Sequence, residues 1–178
     1  MNFYNFLNIK HSSNFNIPNK QVISEFLNEY LCNKLLDENY IKKADNIWIS
    51  DYKESGIRKI IQFIHRGVKG NVVFGLNFDA ICKDKSLEKE LLSRFKFHIF
   101  EYSSVYFENS TISLWNEFFF KKTLKRFSEN ELDKIIIDLN SLCNINDCLS
   151  YFEHQKGNDD YVTHYPNPEK ILSFLKNI

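Results

Sequence analysis

Apolar and polar residues alternate along "GNVVFGLNFDAI": Val72, Phe74, Leu76, Phe78 and Ala80 fall on one side, with Gly75, Asn77 and Asp79 between them. A strand turns successive side chains to opposite faces, so the pattern predicts a β-strand over 70–81 with a core side and a polar side. An antiparallel sheet can leave one face to water, which accounts for Asn77 and Asp79 without any catalytic demand. Just upstream, "IRKIIQFIHR" is rich in β-branched residues, with Ile57, Ile61 and Phe63 on one side and Ile60 and Ile64 on the other. A strand apolar on both sides is expected at the centre of its sheet. The glycines of "RGVKGN" predict a hairpin joining the two.

Other stretches follow the helical beat. After Pro18, the residues Val22, Ile23, Phe26, Leu27, Tyr30, Leu31, Leu35 and Leu36 recur at spacings of three and four, predicting a helix over 19–37. A short apolar run from Ile47 to Tyr52, ending at Gly56, predicts a first strand and a turn. Ser86 with Leu87, Leu91, Leu92 and Phe95 predicts a helix over 86–95, and the aromatic-rich run 95–107 a further strand. Residues 111–127 fit strand or helix. Ser128 and Glu131 match a capping box ahead of the stripe Leu132, Ile135, Ile136, Leu139, Leu142 and Cys143. Residues 153–170 read as a polar loop, and Ile171, Leu172, Phe174 and Leu175 as the docking side of a last short helix. The sum is a single α+β domain over 1–178: an N-terminal helix, then an antiparallel sheet packed against C-terminal helices.

Composition narrows the function classes. Of 178 residues, 43% are apolar and 16% aromatic, enough to form one sizeable core. Twenty-three basic and 23 acidic residues cancel, so the field that nonspecific nucleic-acid binding needs is missing. No apolar run approaches the roughly 18 residues of a membrane span, and no export sequence is evident. Cys32, Cys82, Cys143 and Cys148 are then expected as free thiols in a reducing cytoplasm, with Cys143 a buried thiol on a helix stripe.

The zero net charge hides an asymmetry. Residues 128–160 carry eight acids against Lys134 and Lys156, a balance of −6, while Lys121, Lys122, Lys125 and Arg126 crowd the preceding stretch. "FFFKKTLKRF" interleaves Phe118, Phe119 and Phe120 with those cations, as base stacking plus phosphate contact would require. The reading preferred here is an amphipathic segment with its phenylalanines buried and its lysines in water.

Catalytic motifs are sparse. No glycine-rich phosphate loop, GxSxG, HExxH or CxxC occurs. Glu153, His154, Asp159, Asp160 and His164 are of metal-ligand type but match no ligand spacing, so solubility explains them as well. Asp51 and Lys53 of "SDYK", with Asp37, Glu38 or Asp45, echo half of a metal-dependent nuclease site. His65, Arg66 and Lys69 flank the hairpin tip, where charge is ordinary. No cofactor or metal is expected.

The ordering of a helix, "NIWISDY", "RKIIQFIHRG" and "NVVFGLNFDAI" over residues 20–82 resembles an uncharacterised bacterial family of unknown function. The chain also resembles the small cytoplasmic immunity partners of polymorphic or contact-dependent toxins. That resemblance implies a non-enzymatic protein that binds a cognate toxin domain, a nuclease by expectation, and blocks its active site. Asp147, Glu153, Asp159 and Asp160, with Tyr151, Phe152 and Tyr161 interspersed, are the expected docking residues, since aromatic anchors in a charged rim suit an interface. The competing class is a small metal-dependent or nucleic-acid-processing enzyme using Asp51, Lys53 or the 154–164 loop.

Overall fold

Asn19 starts the first helix by accepting the Val22 N–H on its side chain at 3.0 Å. The computed structural model describes residues 16–52, 54–83, 104–155 and 173–177. Helix α1 runs as α-helix over Lys20–Leu27, as π-helix over Asn28–Cys32, and as α-helix again over Asn33–Asp37. The π segment has a reason in the sequence. Ile23, Leu27, Leu31 and Leu35 are the buried residues of the helix and recur every four positions. Three such steps overshoot 3.6-residue turns by about 1.2 residues, or roughly 120° around the axis. A wider π turn absorbs the excess and keeps the stripe on the core, which leaves Leu36, expected in it, 49% exposed. Asn39, at φ 64°, then ends the helix, and the Tyr40 N–H bonds back to the Leu35 carbonyl at 2.8 Å.

Among the described residues five strands follow: β1 (Ile41–Ala44), β2 (Ile47–Ile49), β3 (Ile57–Arg66), β4 (Lys69–Phe78) and β5 (Ser104–Ser113). They form one antiparallel sheet in chain order, so β3 is central, as its two apolar sides predict. At the sheet edge, the register of β1 slips between Lys42 and Ala44. Arg66 pairs with Lys69, leaving a two-residue turn with Gly67 at φ 57° in its first position. The other hairpin glycine acts through space: a Cβ on Gly70 would sit 2.5 Å from Phe63 Cζ and 2.8 Å from Leu114 Cδ1. The strand stops at Phe78, before the predicted end. Asp79–Lys83 is a short helical turn, α2, started by the Asp79 N–H on the Gly56 carbonyl at 2.8 Å and held by an Asp79–Lys83 ion pair.

One side of the sheet carries the main core, where Trp48, Ile57, Ile61, Phe63, Val72, Leu76 and Phe78 join α1 and the later helices. The other side is not the wet face that alternation suggests. Ile47, Ile49, Ile60 and Val73 form a second buried cluster there. Asn77 has no exposure at all.

Residues 111–127, ambiguous in sequence, divide into the end of β5 and the start of helix α3 (Glu117–Asn130). Asn116 caps α3 by accepting the Phe119 N–H at 3.0 Å. Ser128, expected as the cap of the next helix, lies inside α3 and is buried. Its hydroxyl donates instead to the Tyr30 carbonyl of the π turn at 2.5 Å, while Lys34 Nζ donates to the Ser128 carbonyl at 2.7 Å and reaches Asp133 at 2.9 Å. Helix α4 (Leu132–Ser141) buries Leu132, Ile135, Ile136 and Leu139 as expected. Cys143 falls beyond its end and is exposed, so the buried thiol is Cys148, on a helix the sequence reading missed, α5 (Ile145–Gln155). The predicted loop thus begins inside α5, and its remaining residues lie outside the described ones, as do helix 86–95 and residues 95–103 of the predicted strand. Residues 173–175 are helical; Leu175 is buried and Phe174 packs on the core, while Ile171 and Leu172 lie outside the described residues. The architecture is α+β, with N-terminal helix, antiparallel sheet and C-terminal helices.

Candidate functional site

The two sides of α3 differ sharply in chemistry. Phe120, Leu124, Phe127 and Ser128 face inward and are buried. Phe120 sits 5.8 Å from the rings of both Phe26 and Phe63. Phe118 and Phe119, expected to be buried with it, are 68% and 39% exposed, and Trp115, in the segment leading into α3, is 51% exposed. The sequence explains the division: at 100° per residue no helix can place three consecutive side chains on one side. The outward rings touch each other edge to face, Trp115 to Phe119 at 6.1 Å between centroids and Phe118 to Phe119 at 5.5 Å. Edge-to-face contact is a favoured arrangement of aromatic pairs.

Charge borders this surface. Lys121 pairs with Glu29 at 3.7 Å and lies over the Phe26 ring at 5.2 Å. Lys125 pairs with Glu129 at 3.7 Å. Beside them on the helix, Lys122 and Arg126 are exposed and make no ion pair among the described residues. Nearby, the Tyr30 phenol is pushed up from its ordinary value, first by burial and then by Glu29.

The residues expected to dock a partner are arranged differently. Asp147 Oδ2 accepts the N–H groups of Cys143 at 3.0 Å and Asn144 at 3.2 Å, while Asn144 Oδ1 accepts the Asp147 N–H at 2.9 Å. Its carboxylate therefore closes the start of α5. Tyr151, one turn on, packs partly against the core. Glu153 lies in the last turn of α5; Asp159, Asp160 and Tyr161 lie outside the described residues.

Among the described residues the enzyme candidates do not converge. Asp45 is engaged by Lys20 at 3.6 Å and Lys42 at 3.9 Å, and Glu38 accepts from Asn140 at 3.2 Å. Asp51 and Asp37 are exposed, and Lys53 lies outside the described residues. Among the described residues no three His, Cys, Asp or Glu side chains gather to hold a metal ion. His154 is in α5 and His164 outside the described residues. At the hairpin tip, exposed His65 stacks on Phe63 at 6.2 Å. No family model, curated protein or solved structure matches the chain. Among the described residues no helix is long and apolar enough to cross a membrane.

A second polar group lies at the far end of β4. Asn77 Oδ1 accepts from the Tyr52 hydroxyl and from Cys82 Sγ at 3.4 Å, and the Arg58 guanidinium lies 3.9 Å over the Tyr52 ring. The amide oxygen is thereby occupied by the protein's own donors. Elsewhere, burial pushes the Cys148 thiol up to about 12, with Asp147 adding to the effect. Burial likewise raises the Tyr40 phenol, helped by Glu38.

The α3 surface is what the sequence reading missed. Its trace was present as Trp115, Phe118, Phe119, Lys122 and Arg126, an i, i+3, i+4, i+7, i+11 series of helical period. It was hidden because the adjacent Phe120 carries the same apolar character inward.

Proposed function

We propose that this chain is a cytoplasmic binding protein of the immunity type, which neutralises a cognate toxin domain by covering it, and that it docks through the outward face of α3. One observation carries the reading: three exposed aromatic rings, Trp115, Phe118 and Phe119, joined through Phe119 into one contiguous surface. Isolated exposed hydrophobic residues are ordinary, but a contiguous apolar patch rimmed by charge marks an interaction site. Trp, Phe and Arg are also the residue types enriched in protein interfaces. The toxin partner comes from the chain's resemblance to small cytoplasmic immunity proteins. Asp147 is a weaker anchor than expected, because its carboxylate serves α5.

The test is coexpression with the toxin-like product of an adjacent reading frame in a sensitive host. Growth should be restored and the two chains should co-elute as one complex. The triple variant W115A/F118A/F119A, checked for native circular dichroism, should lose both. Persistent growth arrest with soluble, folded wild-type chain would end the immunity reading.

A further inference from the structure

We infer that the outward face of α3 is built to enter an acidic, apolar groove of a protein partner, with its aromatic end in the groove and its cations against carboxylates. This rests on the docking face proposed above and adds the chemistry of what it meets. Four cations lie on this helix, and the protein neutralises two of them itself: Lys121 with Glu29, and Lys125 with Glu129. Lys122 and Arg126 are left without ion pairs among the described residues, one and two turns beyond Phe118 on the same face. At 1.5 Å per residue they stand about 6 Å and 12 Å along the axis from the Phe118 position. A complementary partner therefore offers an apolar pocket followed by carboxylates at those spacings. This is recognition of a helix end laid in a groove, with Phe118 and Phe119 in the first turn and Trp115 just before it as anchors, followed by charge.

Two other classes of partner fit less well. Single-stranded nucleic acid stacks its bases on ring faces along a track of cations. Here the rings meet at 69° and 77°, edge to face, and only two cations on the helix are uncompensated. A membrane-surface helix keeps an apolar face along its length. The outward side of α3 is aromatic only at its start and charged from Lys122 onward. Paired carboxylate and aromatic chemistry is what a protein groove supplies.

The test uses the full chain and a defined probe, the acidic-aromatic copolymer poly(Glu,Tyr), with binding read as the change in tryptophan fluorescence excited beyond the tyrosine absorption, a change that W115F should abolish. Trp48 is fully buried and supplies a constant background. Saturable binding is expected, weakened about tenfold or more by K122E/R126E and by F118A, and falling with salt. K121E should have a smaller effect, since Lys121 already has a partner. Oligo(dT) or phosphatidylserine vesicles giving the stronger response would overturn the inference in favour of a nucleic-acid or membrane surface. No response to the copolymer, or a response insensitive to K122E/R126E, would overturn it outright. Toxin neutralisation is read separately, so either claim can fail alone.

Discussion

At the far end of β4 an amide lies completely buried, while at the start of α3 three aromatic rings stand in water; the two regions depart from the usual partition of residues in opposite senses. Asn77 is surrounded by its own donors, the Tyr52 hydroxyl and the Cys82 thiol. A buried polar group with its hydrogen bonds made is structural and leaves little for a ligand to gain. The rings of Trp115, Phe118 and Phe119 touch one another but keep much of their surface in water. The difference shows that polarity alone does not identify a functional site in this fold. What matters is whether the unusual group is already satisfied.

Substitutions can break that comparison in order of size. Phe120→Ala, on the inward side of α3, should cost about 3–5 kcal/mol in urea unfolding, whereas Phe118→Ala two positions away should stay within about 0.5 kcal/mol. Equal losses would show that the outward ring is part of the core. Asn77→Ala removes the acceptor for two partly buried donors and should cost about 1–3 kcal/mol by the same measurement. A neutral result would mean that Tyr52 and Cys82 find other partners.

The third prediction concerns pH. The Cys148 thiol is raised by burial from an unfolded value near 8.5 to about 12. Its contribution is complete below the unfolded value and is lost as pH rises towards the folded one, since only the unfolded chain releases the proton in that window. Stability should decline above about pH 8.5, and Cys148→Ala should flatten that slope even while lowering stability overall. Alkylation mass spectrometry should label exposed Cys143 well before Cys148. The smallest effect is expected at Tyr40, whose buried hydroxyl has no hydrogen-bond partner among the described residues. Tyr40→Phe should be neutral or slightly stabilising, opposite in sign to Asn77→Ala.

Much of the scaffold was legible because its hydrophobic period is unambiguous. Ile57–Ile64 is apolar on both sides, and the strand proves central; the four-residue recurrence from Ile23 to Leu35 marks α1. What was illegible depended on partners distant in sequence. Ser128 and Glu131 satisfy the capping pattern locally, yet the Ser128 hydroxyl serves a carbonyl of α1. Asn77 looks solvated in an alternating strand and is buried because the second sheet face is also covered. β1 escaped notice because its lysines break any alternation, and α5 because Asn144, Asn146 and Asp147 dilute its apolar stripe. The docking face was the least visible part, since a run of three phenylalanines says nothing by itself about which of them turns outward.

The lysines and slipped register of β1 have a consequence for behaviour at high concentration. An edge strand offers unpaired backbone groups to any other extended chain, and four residues give little length to template on. Exposed Lys43 sets positive charge on that border, and the irregularity beside it spoils the spacing an incoming strand would have to match. On this side the molecule resists polymerising into cross-β fibrils.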